Sequence, residues 1–271
     1  MIVDFHIHIG EAKNWHSWTH EYQKSINKKL YERFEEIMNP QGLCEYLKGE
    51  GVDSAVVLAE LSPITTGVIT NEYVRDFCKD RDMLLPFASI NPNMQARPAK
   101  LLEKYVLEWD FRGLKLYPSY HLYHPNDSFI YPVYAKAQEL EIPVMVHTGS
   151  SVFRGSRLKY ANPIFLDDVA VDFPDLRIIQ VHSGRGFWYN EAFFLARLHQ
   201  NIYMEISGLP PQNLLKYFPE LEKVRDKVIF GSDWPGVPGI KKNIKQIQRL
   251  PLKDSTKKKI LYENAARILG V

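Results

Sequence analysis

The sequence predicts an α/β fold, and two patterns carry that reading. Eight short, mostly continuous apolar segments recur along the 271 residues, each followed by a stretch of helical composition. That alternation is the pattern of a parallel sheet buried beneath helices. The length adds to it, because eight such units make the closed (β/α)8 TIM barrel, which runs to about 250 residues as one domain. Residues 1–271 are therefore read as a single barrel domain. An open doubly wound sheet is the alternative, but no G-x-G-x-x-G or P-loop follows any strand.

Strand one is the apolar, β-prone opening that stops at Gly10. Residues 11–42 follow without strand character and are rich in aromatics, and apolar positions between Tyr22 and Ile37 suggest helix. This stretch makes the first strand-to-strand interval the long one, so it is read as an insertion that either folds over the strand end as a lid or packs as a helix on the outside. A helix over 40–50 leads to strand two at 54–59, broken by Ser62-Pro63. A helix over 71–80 precedes strand three at 84–90, and one over 96–108 precedes strand four at 112–117. Helix 132–140, strand five at 142–147, helix 164–172 and strand six at 177–182 continue the alternation. Helix 190–199, strand seven at 202–206, helix 212–224, strand eight at 228–233 and two closing helices complete it.

Composition narrows the function classes. With 34 basic against 32 acidic residues the net charge is +2, which offers no electrostatic footprint for nucleic acid or an anionic membrane. Cys44 and Cys78 form no C-x-x-C motif, so neither a disulfide framework nor a thiolate zinc site is indicated. No apolar run is long enough to span a membrane and the N-terminus lacks signal-peptide character, so a cytoplasmic protein is expected.

The chemistry lies at the strand ends. His6 and His8 sit two apart on a strand, so both imidazoles leave the same face. Strand four ends near Lys115, strand five at His147, strand six at His182 and strand eight at Asp233. In a barrel these positions share one mouth. Nitrogen and carboxylate donors without thiolates suit Zn²⁺, with Mn²⁺, Fe²⁺, Co²⁺ or Ni²⁺ as alternatives.

The segments His6-Ile-His8, Val146-His147-Thr-Gly149, Val181-His182-Ser-Gly184 and Phe230-Gly-Ser-Asp233-Trp-Pro235 resemble the amidohydrolase superfamily. The nearest branch is that of the amidohydrolase-related, aminocarboxymuconate-semialdehyde decarboxylase-like enzymes, and the closing Ile260–Leu269 segment resembles that branch's terminal helix. The resemblance implies that His6, His8, His147 and Asp233 hold one divalent metal, with Asp233 and His182 as catalytic residues. It leaves Lys115 either as a bridge between two metals or as an ammonium facing the pocket, and one metal is expected. A homodimer is common in the branch.

Arg185, between two glycines and three residues past His182, is the first choice to clamp a substrate carboxylate, with Arg154 and Arg157 behind it. Tyr117, Trp15, Trp18 and Trp234 are expected as an aromatic wall, and Glu60 and Glu205 as partners orienting the histidines. His16, His20, His121 and His124 are read as solvated or lid residues, and His199 as lying on an outer helix. The leading expectation is hydrolysis of an ester, lactone or amide of a small molecule by metal-activated water. The alternative is non-oxidative decarboxylation of a small unsaturated or aromatic carboxylic acid.

Overall fold

The computed structural model describes residues 1–270. Its eight barrel strands are β1 (Val3–His8), β2 (Ser54–Leu58), β3 (Leu84–Ser89), β4 (Gly113–Leu116), β5 (Val144–His147), β6 (Ile178–Val181), β7 (Ile202–Glu205) and β8 (Val228–Ile229). They pair in chain order, each parallel to the next. The two edges then meet: Phe5 N–H donates to Phe230 O at 3.0 Å, Asp233 N–H to His6 O at 3.0 Å and His8 N–H to Trp234 O at 2.8 Å. The sheet is thus a (β/α)8 TIM barrel with a β8–β1 seam held by main-chain bonds.

Alternation sorts the strand residues into two layers. Leu114, Leu116, Val144, Val146 and Ile178 pack with the helices, while their neighbours Met145 and Ile179 cluster inside with Phe5, Phe87 and Val181. Ala265 and Ile268 of the last helix, Asn264–Leu269, join that inner cluster and close one end. The pairing register of β1 shifts between Asp4 and Ile7. This irregularity lets Phe5 fill the interior while His6 and His8, one step out of phase, face the opposite mouth.

Local signals set several boundaries. In helix Pro40–Glu50 the Asn39 side chain accepts from Gly42 N–H at 2.9 Å, Pro40 opens the first turn, and Gly51 ends it at φ +85°. The single helix expected over 212–224 is instead two short pieces, Leu214–Tyr217 and Leu221–Val224. Pro219 explains the break, since a proline biases the preceding residue away from helical geometry, and Phe218 is non-helical at φ −130° and ψ 75°. Beyond β2 an antiparallel hairpin, Glu60–Ser62 with Gly67–Ile69, stands where the sequence showed only a break. Residues 11–42 form short helices, Ser17–Ile26, Lys28–Glu32 and Phe34–Ile37, tied to that hairpin through Trp18 Nε1–H to Thr65 O at 2.6 Å. Among the described residues no helix is long and apolar enough to cross a membrane.

Candidate metal centre and active site

The strand ends converge on a cavity of about 260 Å³. His6, His8 and Asp233 bring their ligand atoms within 4.8 Å of one another. His6 Nε2 and His8 Nε2 are 3.0 Å apart, and Asp233 Oδ1 lies 3.4 Å from the first and 3.3 Å from the second. Donors each roughly 2.1 Å from one ion stand about 3.0–3.4 Å apart at tetrahedral to octahedral angles, so these three atoms fit a divalent cation. His147 lies outside this trio but lines the same cavity, and its buried Nε2 has no hydrogen-bond partner. Its ring centroid is 4.8 Å from that of His182. An orphaned imidazole nitrogen beside the trio fits the part of a further ligand.

The backbone is bent to make this arrangement. His182 and Asp233 both adopt left-handed conformations, φ +63° and +70°, the first directly after β6 and the second four residues past β8. Such conformations cost on the order of 1–3 kcal/mol each and persist where the surrounding structure enforces them. Gly208 sits against the same place at φ +65°, where a Cβ would overlap Arg185 Nη1 and approach Asp233 Oδ2 to 3.1 Å.

Carboxylates stand behind the imidazoles. Glu60 Oε2 lies 3.2 Å from His8 Nδ1, an electrostatic contact off the hydrogen-bond axis. Burial alone lowers the affinity of His8 for a proton, but Asp233 and Glu60 outweigh it and push the residue up to about 9. A metal ion held on Nε2 would replace that proton. His6, His147 and His182 are held well below the ordinary histidine range, by burial first and then by neighbouring cations. Asp233 is held far below the usual carboxylate range: burial opposes this, but His6, His8 and Arg185 prevail. Burial raises Glu205 to about 7, against the pull of Lys115 and of hydrogen bonds from Ser207 and the His182 amide.

Lys115 is fully buried, lines the cavity, and its Nζ has no hydrogen-bond partner. Burial lowers it to about 8, while the charges of Glu205, Asp233 and Glu60 hold it up. Arg185 also lines the cavity, with Nε and Nη2 donating to Ser150 O at 3.1 and 2.7 Å and Nη1 3.7 Å from Asp233 Oδ2. Tyr117 is a wall residue whose hydroxyl is committed to Ala59 O at 3.1 Å.

Other expected residues lie elsewhere. Arg154 is exposed and stacks on Trp18, and Trp234 is buried against Tyr46, while Pro235 and Gly236 face the cavity in its stead. His121, read as a solvated or lid residue, is in fact buried, because the short helix Pro118–His121 turns inward and Nε2 meets Ser62 Oγ at 3.3 Å. The insertion supplies Trp15, Thr19, Tyr22 and Gln23 to the lining, and Tyr120 and Phe153 face them. Of these only Trp15 was singled out in the sequence. An aromatic after a strand end is the only mark that Tyr120 and Phe153 carry.

A family model described as Amidohydrolase matches residues 3–271. The chain belongs to the amidohydrolase family. It is therefore an enzyme of the amidohydrolase superfamily, and the strand-end histidines and aspartate are read in that setting. A 2-keto-4-carboxy-3-hexenedioate hydratase from Sphingobium sp. (strain NBRC 103272 / SYK-6) is 34% identical over 34% of this chain and 32% of its own. The chain thus matches about a third of that curated relative's length. Among solved structures, an uncharacterised TIM-barrel protein from Bordetella bronchiseptica superposes with a TM-score of 0.81 at 23% identity, over 99% of this chain and 98% of that one. A dihydroxybenzoic acid decarboxylase from Polaromonas sp. JS666, with bound manganese and the inhibitor 2-nitroresorcinol, gives 0.75 at 14% identity, over 99% and 96%. At these identities the likeness to the two structures is one of fold.

Proposed function

We propose that this amidohydrolase-family enzyme is a divalent-metal-dependent decarboxylase of a small aromatic or unsaturated carboxylic acid. The observation that carries the reading is Lys115, a buried ammonium without a hydrogen-bond partner in the same cavity as the His6, His8 and Asp233 trio. A buried ammonium with no hydrogen-bond acceptor is costly even with carboxylates nearby, and a carboxylate ligand that accepts from it relieves the cost. The cavity lies just below the ligand-pocket range of roughly 300–1,000 Å³, which suits a single ring or a short unsaturated acid. Tyr22, Tyr117, Tyr120 and Phe153 give flat walls for such a molecule.

His6, His8 and Asp233, with His147 beside them, would hold the ion. Bound there, a divalent ion supplies Lewis-acid attraction for a substrate oxygen. In the reaction the bond from carbon to carboxylate breaks, CO₂ leaves, and the electron pair left on carbon takes up a proton. On this reading His182 and Asp233 relay that proton from solvent to the carbon, and Lys115 and Arg185, which line the same cavity, orient the acid. The buried, low-affinity imidazole of His182 passes a proton rather than storing it.

The relatives support this reading ahead of hydrolysis: a solved structure of the same fold is a decarboxylase with manganese, and the hydratase's name gives a carboxylated unsaturated acid. Hydration of a double bond is the second reading, favoured by that hydratase. The test is turnover in D₂O by metal-loaded protein, over a panel of dihydroxybenzoates and unsaturated polycarboxylates. Decarboxylation predicts CO₂ release and one deuterium on the carbon that bore the carboxylate. Ester or lactone cleavage, or addition of water without CO₂, contradicts it.

A further inference from the structure

His6 and His182 come from β1 and from the end of β6, yet they meet at one hydroxyl. Ser207, just past β7 and fully buried, places its Oγ 2.9 Å from His6 Nδ1, 2.9 Å from His182 Nδ1 and 2.8 Å from Glu205 Oε2. His6, His182 and Glu205 by themselves form a second group whose donor atoms lie within 4.8 Å, the arrangement of an ion site. The Ser207 hydroxyl already stands among them, so that group is filled by protein.

Counting protons on this network fixes the imidazoles. A main-chain carbonyl only accepts, and Ser207 O lies 2.9 Å from His182 Nδ1, so that nitrogen carries a proton. Glu205 already accepts from the amides of Ser207 at 2.9 Å and His182 at 3.2 Å, and it takes the Ser207 hydroxyl proton as well. Only lone pairs then remain on Ser207 Oγ. His6 Nδ1 must donate to it, which leaves His6 Nε2 bare and facing His8 Nε2 and Asp233 Oδ1.

We infer that Ser207 is a positioning residue that sets the tautomers of two site histidines at once, His6 through its hydroxyl and His182 through its main-chain carbonyl. Both Nε2 lone pairs are thereby presented to the cavity, one for a metal and one for proton transfer. The inference deepens the proposed function and rests on its assignment of His6 as a ligand. It separates the two histidines, since removing the hydroxyl leaves His6 Nδ1 only the longer 3.5 Å contact with Glu205 Oε2, while the carbonyl still holds His182.

The test uses metal-free protein labelled with ¹⁵N-histidine, with ring tautomers assigned by long-range ¹⁵N–¹H correlation, and Mn²⁺ and Zn²⁺ affinities measured by chelator competition. Wild type is expected to show Nδ1–H at both residues. Ser207→Ala is expected to keep Nδ1–H at His182, lose it at His6, and bind metal about 10–100-fold more weakly, the usual effect of removing a partner behind a ligand. Ser207→Thr, which keeps the hydroxyl, restores the affinity. Wild-type affinity together with an unchanged His6 tautomer in Ser207→Ala overturns the inference. If the alanine variant does not fold, Nε2–H at His6 in wild type overturns it alone. Wild-type protein that keeps Nδ1–H at His6 yet binds neither ion contradicts the metal reading and leaves the tautomer assignment standing.

Discussion

Asp233 Oδ1 lies 3.3 Å from His8 Nε2, although the two residues belong to opposite ends of the chain and meet only across the β8–β1 seam. The candidate metal centre is therefore also the place where the barrel closes. Asp4 ties the two, because its Oδ1 accepts from Ser232 N–H at 2.8 Å and from His6 N–H at 3.1 Å.

Asp4→Ala leaves both of those buried amides without their acceptor. An unsatisfied buried donor costs about 1–3 kcal/mol, so urea unfolding of the variant is expected to show a stability lower by about that amount or more, with a lower midpoint. Metal affinity should fall with it, because the amides position His6 and the turn before Asp233. A urea midpoint equal to wild type contradicts this role for Asp4.

Lys115 distinguishes one metal from two. With its ammonium free to meet a carboxylate, metal analysis should return one equivalent per chain in both wild type and Lys115→Met. The variant should show a KM for the acid raised about tenfold or more, the loss of one charge-assisted hydrogen bond. Two equivalents in wild type, halved by the substitution, would make Lys115 a bridging ligand instead.

Stability should decline in mild acid through His121. Burial lowers this imidazole from about 6.5 in the unfolded chain to about 3 in the folded one, so between those values the unfolded state binds the extra proton. The contribution is fully present above pH 6.5 and is lost as pH falls towards 3. Its slope approaches about 1.4 kcal/mol per pH unit, or roughly 2 kcal/mol by pH 5. His6, His147 and His182 act in the same direction, so the measurement is a comparison of variants. Between pH 7.5 and 5, urea stability of His121→Gln should fall by about 2 kcal/mol less than that of wild type, and equal falls contradict the assignment.

The barrel was legible because each strand is a short apolar run between clear breakers, and strand-end His and Asp residues stand out in such runs. Features that depend on distant contacts were not. The hairpin at 60–69 pairs three residues with three, too short for a pattern, and is held partly by the insertion through Trp18. Pro219 was visible in the expected 212–224 helix, yet the periodic apolar residues on both sides concealed the break. Ser207 carries no local signal, since its three partners lie on β1, directly after β6 and on β7. His121 looked like a loop histidine because nothing nearby in sequence shows that Ser62 will cover it.

The most direct measurement of the central claim is an anomalous difference map from crystals of this protein soaked with Mn²⁺. The account predicts one peak per chain at the strand ends, in bonding contact with His6 Nε2, His8 Nε2 and Asp233 Oδ1 and beside His147. A fully occupied peak elsewhere, or none at that trio in crystals shown to contain manganese, contradicts it.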